Sequence, residues 1–355
     1  MKQHDLLGID SFSGQNGLEY RDQTYGVLYD IFEPEVDEVM SILASRDLVF
    51  PAMNSVHLLQ LRRPLIARHC LPFLLTHYAF FPSEKPKIDV LAACISAHTL
   101  ALTHLDYHLD GAAPAEDNEV SAVKVPASSA VSYAVRMVYE AGSIVESPED
   151  LKILFDTVFR PVSGFVVSRM HEDWLARTTP IENEIHCSVE EYLISDRSRI
   201  LTSGYWEVMI RAAFIGRDLE IPDDIISFCR SLRVLRQLVD ELFDIEEDTY
   251  AGVVTLPGLV AQEIHPEMSE TIDLLCRGEL GDDDVSRLVS LLRSKEITEI
   301  CSEKIMSCYR EGTFMLASIS SEKRHLLQLL LDLKIAKFDI LQSSMKDASR
   351  KNAAA

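Results

Sequence analysis

Residues 236–248 read RQLVDELFDIEED. On a helix, Asp240, Glu241 and Asp244 fall within one turn, and Asp240 and Asp244, four residues apart, share a face. Like charges in that register repel by a few tenths of a kcal/mol or more, roughly, unless cations sit between them. Gln237, one turn earlier, is assigned to the same side as a ligand for an anion or a metal-bound water. Arg233 and Arg236 come two turns and one turn before Asp240, within helical reach of a bound phosphate. A solvated acidic helix face is the plain alternative. The strongly apolar residues around the acids weigh against it, and so does the stretch that follows, AGVVTLPGLVA at 251–261.

The rest of the chain carries the same helical signal. Between its 14 glycines and 14 prolines lie long stretches with apolar residues at helical spacing, and no strand alternation is visible. Val90 to Leu105, Glu190 to Phe214 and Asp223 to Ile245 read as helices, with Pro82, Pro86, Pro161, Pro180 and Pro222 near their ends. Ser320 to Leu341 reads as a capped amphipathic terminal helix. The fold expected is all-α and single-domain, over residues 21–345. Residues 1–20 and 346–355 are expected to be loosely ordered tails. GAAPAEDNEVSAVKVP, at 111–126, reads as a loop able to act as a lid.

Hydrophobic residues make up 47% of the 355, enough for a large core, while 34 basic against 56 acidic residues give a formal charge of −22. Such a surface repels nucleic acid and anionic lipid, yet divalent cations can still bridge its carboxylates to a phosphate. Seven scattered cysteines without CxxC spacing describe neither a disulfide framework nor a zinc site. With no apolar run of membrane length and no leader-like start, the expectation is a cytoplasmic protein without membrane insertion.

Four further segments complete the pattern: HTLALTHLDYHLDG (98–111), SRMHEDWLART (168–178), SVEEYLISDRSRILTSG (188–204) and SSEKRHLLQLLL (320–331). With QLVDELFD and AGVVTLP, they resemble in order the trans-isoprenyl diphosphate synthases and the wider class I terpene synthase superfamily. The family's motifs there are HxxSLxHDDxxD, GQxxDL, EEYLxxxxxKTG, SxxRxxL, FQxxDDxxD and GKxTxP. The resemblance spans about residues 50 to 340. It implies a helical bundle around a central cavity, with Asp106 and Asp110 facing Asp240, Glu241 and Asp244 to hold two or three Mg²⁺ ions on a prenyl diphosphate. It also implies that Arg199, Arg63 and Gln237 bind the diphosphate, and that the protein is a homodimer. Arg233 and Arg236, where the family has small or aromatic residues, are added as diphosphate ligands by helical reach, with structural salt bridges to neighbouring acids as the alternative. Tyr107, Phe165, Met170, Tyr205 and Trp206 are the candidates for lining the apolar cavity.

Departures from the family pattern steer the expected reaction. Tyr107 stands where the second aspartate of the first motif belongs, Val253 replaces a lysine, and LQLRRP (59–64) keeps only Arg63 and Pro64 of GKRxRP. The paired arginines after the first motif are replaced by an acidic loop. Isopentenyl diphosphate would lose most of its cationic partners. The first expectation is therefore a terpene synthase that ionises one prenyl diphosphate, rearranges the cation and releases pyrophosphate. A prenyltransferase is the alternative, and a non-catalytic partner subunit of an active synthase is the third reading.

Overall fold

Where no strand is available to cover them, apolar stripes at helical spacing are buried by packing helix on helix. A computed structural model describes residues 2–10, 12, 17–45, 55–100, 139, 141–156, 189 and 205–353, with the backbone alone at 55–62, 98–100, 205 and 340–353. Among the described residues there is no strand, as the periodicity predicts. In chain order the α-helices are α1 (Lys2–Leu7), α2 (Gly17–Ser45), α3 (Ser55–Phe80), α4 (Ile88–Cys94) and α5 (Pro148–Leu154). They continue as α6 (Tyr205–Ala212), α7 (Asp223–Phe243), α8 (Ile245–Tyr250), α9 (Leu256–Ile264) and α10 (Ser269–Cys276). Last come α11 (Asp282–Leu292), α12 (Lys295–Met315) and α13 (Ser321–Ala353).

The helix ends follow local chemistry. Pro82 and Pro86 lie in the link between α3 and α4, and Pro222 precedes α7, whose first turn carries Asp223 and Asp224 against the positive end of the helix dipole. Ser147 caps α5 by accepting the Asp150 N–H at 3.2 Å, with Pro148 beginning the helix. The backbone of α4 runs on as a π-helix at Ile95–Leu100, just before the first acidic motif. Asp106, Tyr107, Asp110, the 111–126 loop, Phe165, Met170 and Arg199 lie outside the described residues.

α13 organises the bundle by packing against α2, α3 and α7, while α7 also lies along α12. Leu326, Leu327, Leu329, Leu330 and Leu331 are fully buried in one continuous core with Phe32, Phe73 and Phe228. Cys70, Cys94, Cys229, Cys301 and Cys308 are buried free thiols, as their scatter suggested. Among the described residues, no helix is long and apolar enough to cross a membrane.

The N-terminal segment differs from the loose tail expected. Leu6 is fully buried, and two carboxylates of α13 tie down the following backbone: the Phe12 N–H donates to Asp332 at 3.0 Å and the Gly17 N–H to Asp339 at 3.1 Å. A Cβ at residue 17 would lie 2.4 Å from the Ala336 carbonyl oxygen, so only glycine allows this approach. α13 likewise continues as helix to Ala353, through part of the tail expected at 346–355.

Asp332 also accepts from Tyr309 Oη at 2.9 Å and Gln328 Nε2 at 2.8 Å while only 1% exposed. Burial holds its carboxyl pKa above the ordinary value, although these donors offset part of that rise. Asp332→Ala would leave the part-buried Phe12 N–H and Tyr309 O–H without this acceptor, while Gln328 keeps Tyr309 and Thr313, and we expect it to lower unfolding stability by about 2 kcal/mol. Urea denaturation monitored by circular dichroism checks this, and a loss below about 1 kcal/mol would contradict the latch.

Candidate diphosphate site at the end of α7

α7 delivers the second acidic motif at its C-terminal end. It stops at Phe243, and Asp244 (φ −98°, ψ 14°) forms the joint with α8, yet its N–H still donates to the Asp240 carbonyl at 3.0 Å. Asp240 and Asp244 thus keep their one-turn spacing beside the negative end of the helix dipole, a place that attracts cations. α8 then closes in a Schellman turn: Gly252 (φ 74°) donates to the Thr249 carbonyl at 3.0 Å and Val253 N–H to that of Asp248 at 2.9 Å. That turn starts α9 with Thr255 extended and Pro257 in its first turn.

The acids divide into two roles. Glu241 is 2% exposed; its Oε2 accepts the Leu256 N–H at 2.9 Å and its Oε1 the Gln237 amide at 2.8 Å. It therefore caps α9 from across the turn, since Thr255 makes no side-chain cap there. Glu241, expected on the metal, and Gln237, expected at the diphosphate, are thus both engaged inside the protein. Both side chains are one helical position off the Asp240 face and are bonded to each other. Asp244, in contrast, is exposed, and Asp240 is about one-third exposed.

Asp240 is surrounded by cations. Lys337 Nζ lies 2.5 Å from Oδ1, and Arg236 Nε lies 3.5 Å from Oδ2. Burial raises the Asp240 pKa, but Lys334, Lys337 and Arg236 together outweigh it and hold the carboxyl below its ordinary value. Asp244 goes the other way, because partial burial and the negative charges of Asp240 and Glu247 exceed the pull of Lys337. Lys334 stands over the Trp206 ring at 4.6 Å, and Lys337 over Phe243 at 4.4 Å. Burial, with Arg236, Lys337 and Arg21 nearby, pulls the Lys334 ammonium down to about 7, against the influence of Asp240.

α2 and α3 complete the cationic side: Arg21 and Arg68 lie 5.7 and 5.4 Å from the Tyr25 ring, and Arg68 Nε donates to Tyr29 at 3.2 Å. Sequence reading missed Lys334, Lys337, Arg21 and Arg68. The lysine pair had a signal, two cations three residues apart within the apolar run LLLDLKIAKFDIL (329–341). Arg21 and Arg68 had none.

Other expected residues sit elsewhere. Arg63 is paired with Glu33 at 3.2 Å and Asp37 at 2.6 Å on α2. Arg233 lies 3.8 Å from Glu207, an acid that also accepts Arg211 at 2.6 Å, so its charge is directed to α6. Trp206 is half-buried against the core beside Lys334, while the Tyr205 side chain lies outside the described residues. Phe80 and Phe81 pack on Phe214 at 5.1 and 5.4 Å, an aromatic cluster at the far end of α3.

Asp240 and Asp244 offer hard carboxylate oxygens with solvent access, a donor chemistry that fits Mg²⁺. Among the described residues no three His, Cys, Asp or Glu side chains converge as a ready metal site, so this pair is a partial donor set.

No family model matches the sequence, and no curated protein matches it. Solved structures do match in fold. A polyprenyl synthase from Caulobacter crescentus CB15, complexed with calcium and isoprenyl diphosphate, aligns with TM-score 0.63 and 16% identity over 87% of this chain and 96% of its own. The geranylgeranyl pyrophosphate synthetase from Pyrococcus horikoshii Ot3 gives 0.61 and 15% over 90% and 98%. The heptaprenyl diphosphate synthase from Staphylococcus aureus gives 0.60 and 13% over 86% and 97%. The chain therefore has the all-α isoprenyl diphosphate synthase fold, as its motifs implied.

The division of the acids can be measured. Glu241→Ala should cost about 2 kcal/mol of stability by stranding the buried Leu256 N–H, whereas Asp244→Ala should stay within about 0.5 kcal/mol. Equal urea midpoints for the two variants would contradict the assignment.

Proposed function

We propose that this chain is a prenyltransferase of the isoprenyl diphosphate synthase type, binding an allylic prenyl diphosphate at the end of α7 and joining its prenyl group to an acceptor. The observation that carries this reading is the pairing of that fold with Asp240 and Asp244 at a helix end ringed by Arg236, Lys334 and Lys337. The fold neighbours bear the names of polyprenyl, geranylgeranyl and heptaprenyl diphosphate synthases, which favours chain elongation over the cyclase reading placed first from sequence.

Asp240 and Asp244 would hold Mg²⁺, with Asp106 and Asp110 proposed to complete the set. Bound there, the ions supply the positive charge that stabilises departing pyrophosphate. The chain's own cations, with Arg199 proposed among them, share that work, and Trp206 and Phe243 bring apolar faces next to the charged pair. A cytoplasmic homodimer is the proposed state.

Terpene cyclisation is the second reading, and it has its own observations. Arg63 is drawn to Glu33 and Asp37, and Val253, at the lysine position of GKxTxP, is a partly exposed apolar residue. Both weaken an isopentenyl site. The deciding experiment incubates the full chain and Mg²⁺ with geranyl, farnesyl or geranylgeranyl diphosphate, with and without isopentenyl diphosphate, and analyses products by mass spectrometry. We expect a diphosphate five carbons longer than its precursor. A hydrocarbon or alcohol unaffected by isopentenyl diphosphate would instead establish the cyclase, and no turnover would leave the partner-subunit reading. Asp240→Ala or Asp244→Ala should lower turnover at least about a hundredfold, and near-normal rates would reduce the motif to a solvated helix face.

A further inference from the structure

The cations beside Asp240 exceed what that carboxylate neutralises, in a chain whose formal charge is −22. Lys337 and Arg236 take its two oxygens at 2.5 and 3.5 Å. Lys334, three residues before Lys337 and so on the same face of α13, has its ammonium over Trp206 and is in salt-bridge distance of no carboxylate among the described residues. Roughly a third of the Arg236, Asp240 and Lys337 side chains stays accessible, at 34%, 31% and 27%. Positive charge gathered at a solvent-accessible place on an acidic protein attracts an anion.

The Lys337–Asp240 contact also has a competitor. A divalent cation on Asp240 would compete with Lys337 for the same carboxylate, because two cations held that close repel each other. We propose that Lys337 is an exchangeable counter-ion of Asp240, which a divalent cation displaces and which then joins Lys334 in binding the oxygens of the diphosphate. The inference rests on the reading of the α7 end as a diphosphate site and assigns the terminal helix α13 a direct part in it.

Physical chemistry supports the exchange. A partly exposed ion pair is weak enough to be displaced, and a lysine ammonium on a flexible four-carbon stem reorients easily. Its charge-assisted hydrogen bonds to phosphate replace those lost from the carboxylate. Each ligand then releases a partner for the other, so cation and diphosphate strengthen one another's binding reciprocally.

Calorimetric titration of the full chain with Mn²⁺ alone, and with inorganic pyrophosphate at saturating Mn²⁺, tests this. In Lys337→Met we expect Mn²⁺ alone to bind about fivefold more tightly, because its competitor is gone. Pyrophosphate should bind at least about tenfold more weakly, because a charge-assisted partner is gone. Lys337→Arg should stay close to wild type on both readouts, and Lys334→Gln should lose pyrophosphate affinity. Thermal melting confirms that each variant is folded, and if Lys337→Met melts early, Lys337→Gln makes the same comparison.

Unchanged or weaker Mn²⁺ affinity in the folded Lys337 variant would overturn the exchange while wild-type pyrophosphate binding kept the α7 site intact. A wild-type chain that bound neither Mn²⁺ nor pyrophosphate would overturn the site reading and the exchange together.

Discussion

Charged side chains carried into the middle of a helical bundle must find partners there, because water cannot serve them. α13 lives under that constraint. It crosses the bundle between α2, α3 and α7 and carries Asp332, Lys334, Lys337 and Asp339 within eight residues. At 3.6 residues per turn the two aspartates fall on one side and the two lysines nearly opposite. The aspartates bind the backbone of the N-terminal segment; the lysines face the second acidic motif. One helix thus fixes the start of the chain and supplies positive charge where α7 ends.

The same rule sorts the acids of the motif. Asp240 and Asp244 retain access to solvent, whereas Glu241 enters the core, where an unpaired carboxylate would be costly, and is satisfied by Gln237 and the first N–H of α9. Glu241 therefore sets the angle between α7 and α9, and with it the joint at Asp244. The helix bearing the candidate ligands is held rigid by the acid that is not one of them. Residues that fix a site and residues that touch ligand lie side by side in sequence, separated by a single helical step.

The fold was legible because helical periodicity is a local signal and apolar residues repeat it along nearly the whole chain. The i, i+4 spacing of Asp240 and Asp244 was legible for the same reason. Within the motif, Arg236, Asp240 and Asp244 form one row four apart, and Gln237 and Glu241, which bond each other, form the next. What local pattern cannot give is pairing across long separations. The N-terminal segment looked like a polar tail, yet Asp332, more than 300 residues later, holds its backbone. Arg63, read from sequence as a diphosphate ligand, is paired with Glu33 and Asp37 of α2, about 30 residues earlier. Charge counts exposed an overall excess of acid and concealed the local excess of base around Asp240.

The central claim is that the end of α7 and the lysine face of α13 together form a diphosphate site. A crystal structure of the full chain grown with Mn²⁺ and inorganic pyrophosphate tests it most directly. The account predicts an anomalous manganese peak at the Asp240 and Asp244 carboxylates, with pyrophosphate oxygens within hydrogen-bond reach of Lys337 and Lys334. Pyrophosphate and manganese absent from the end of α7, with Lys337 still paired to Asp240, would contradict it.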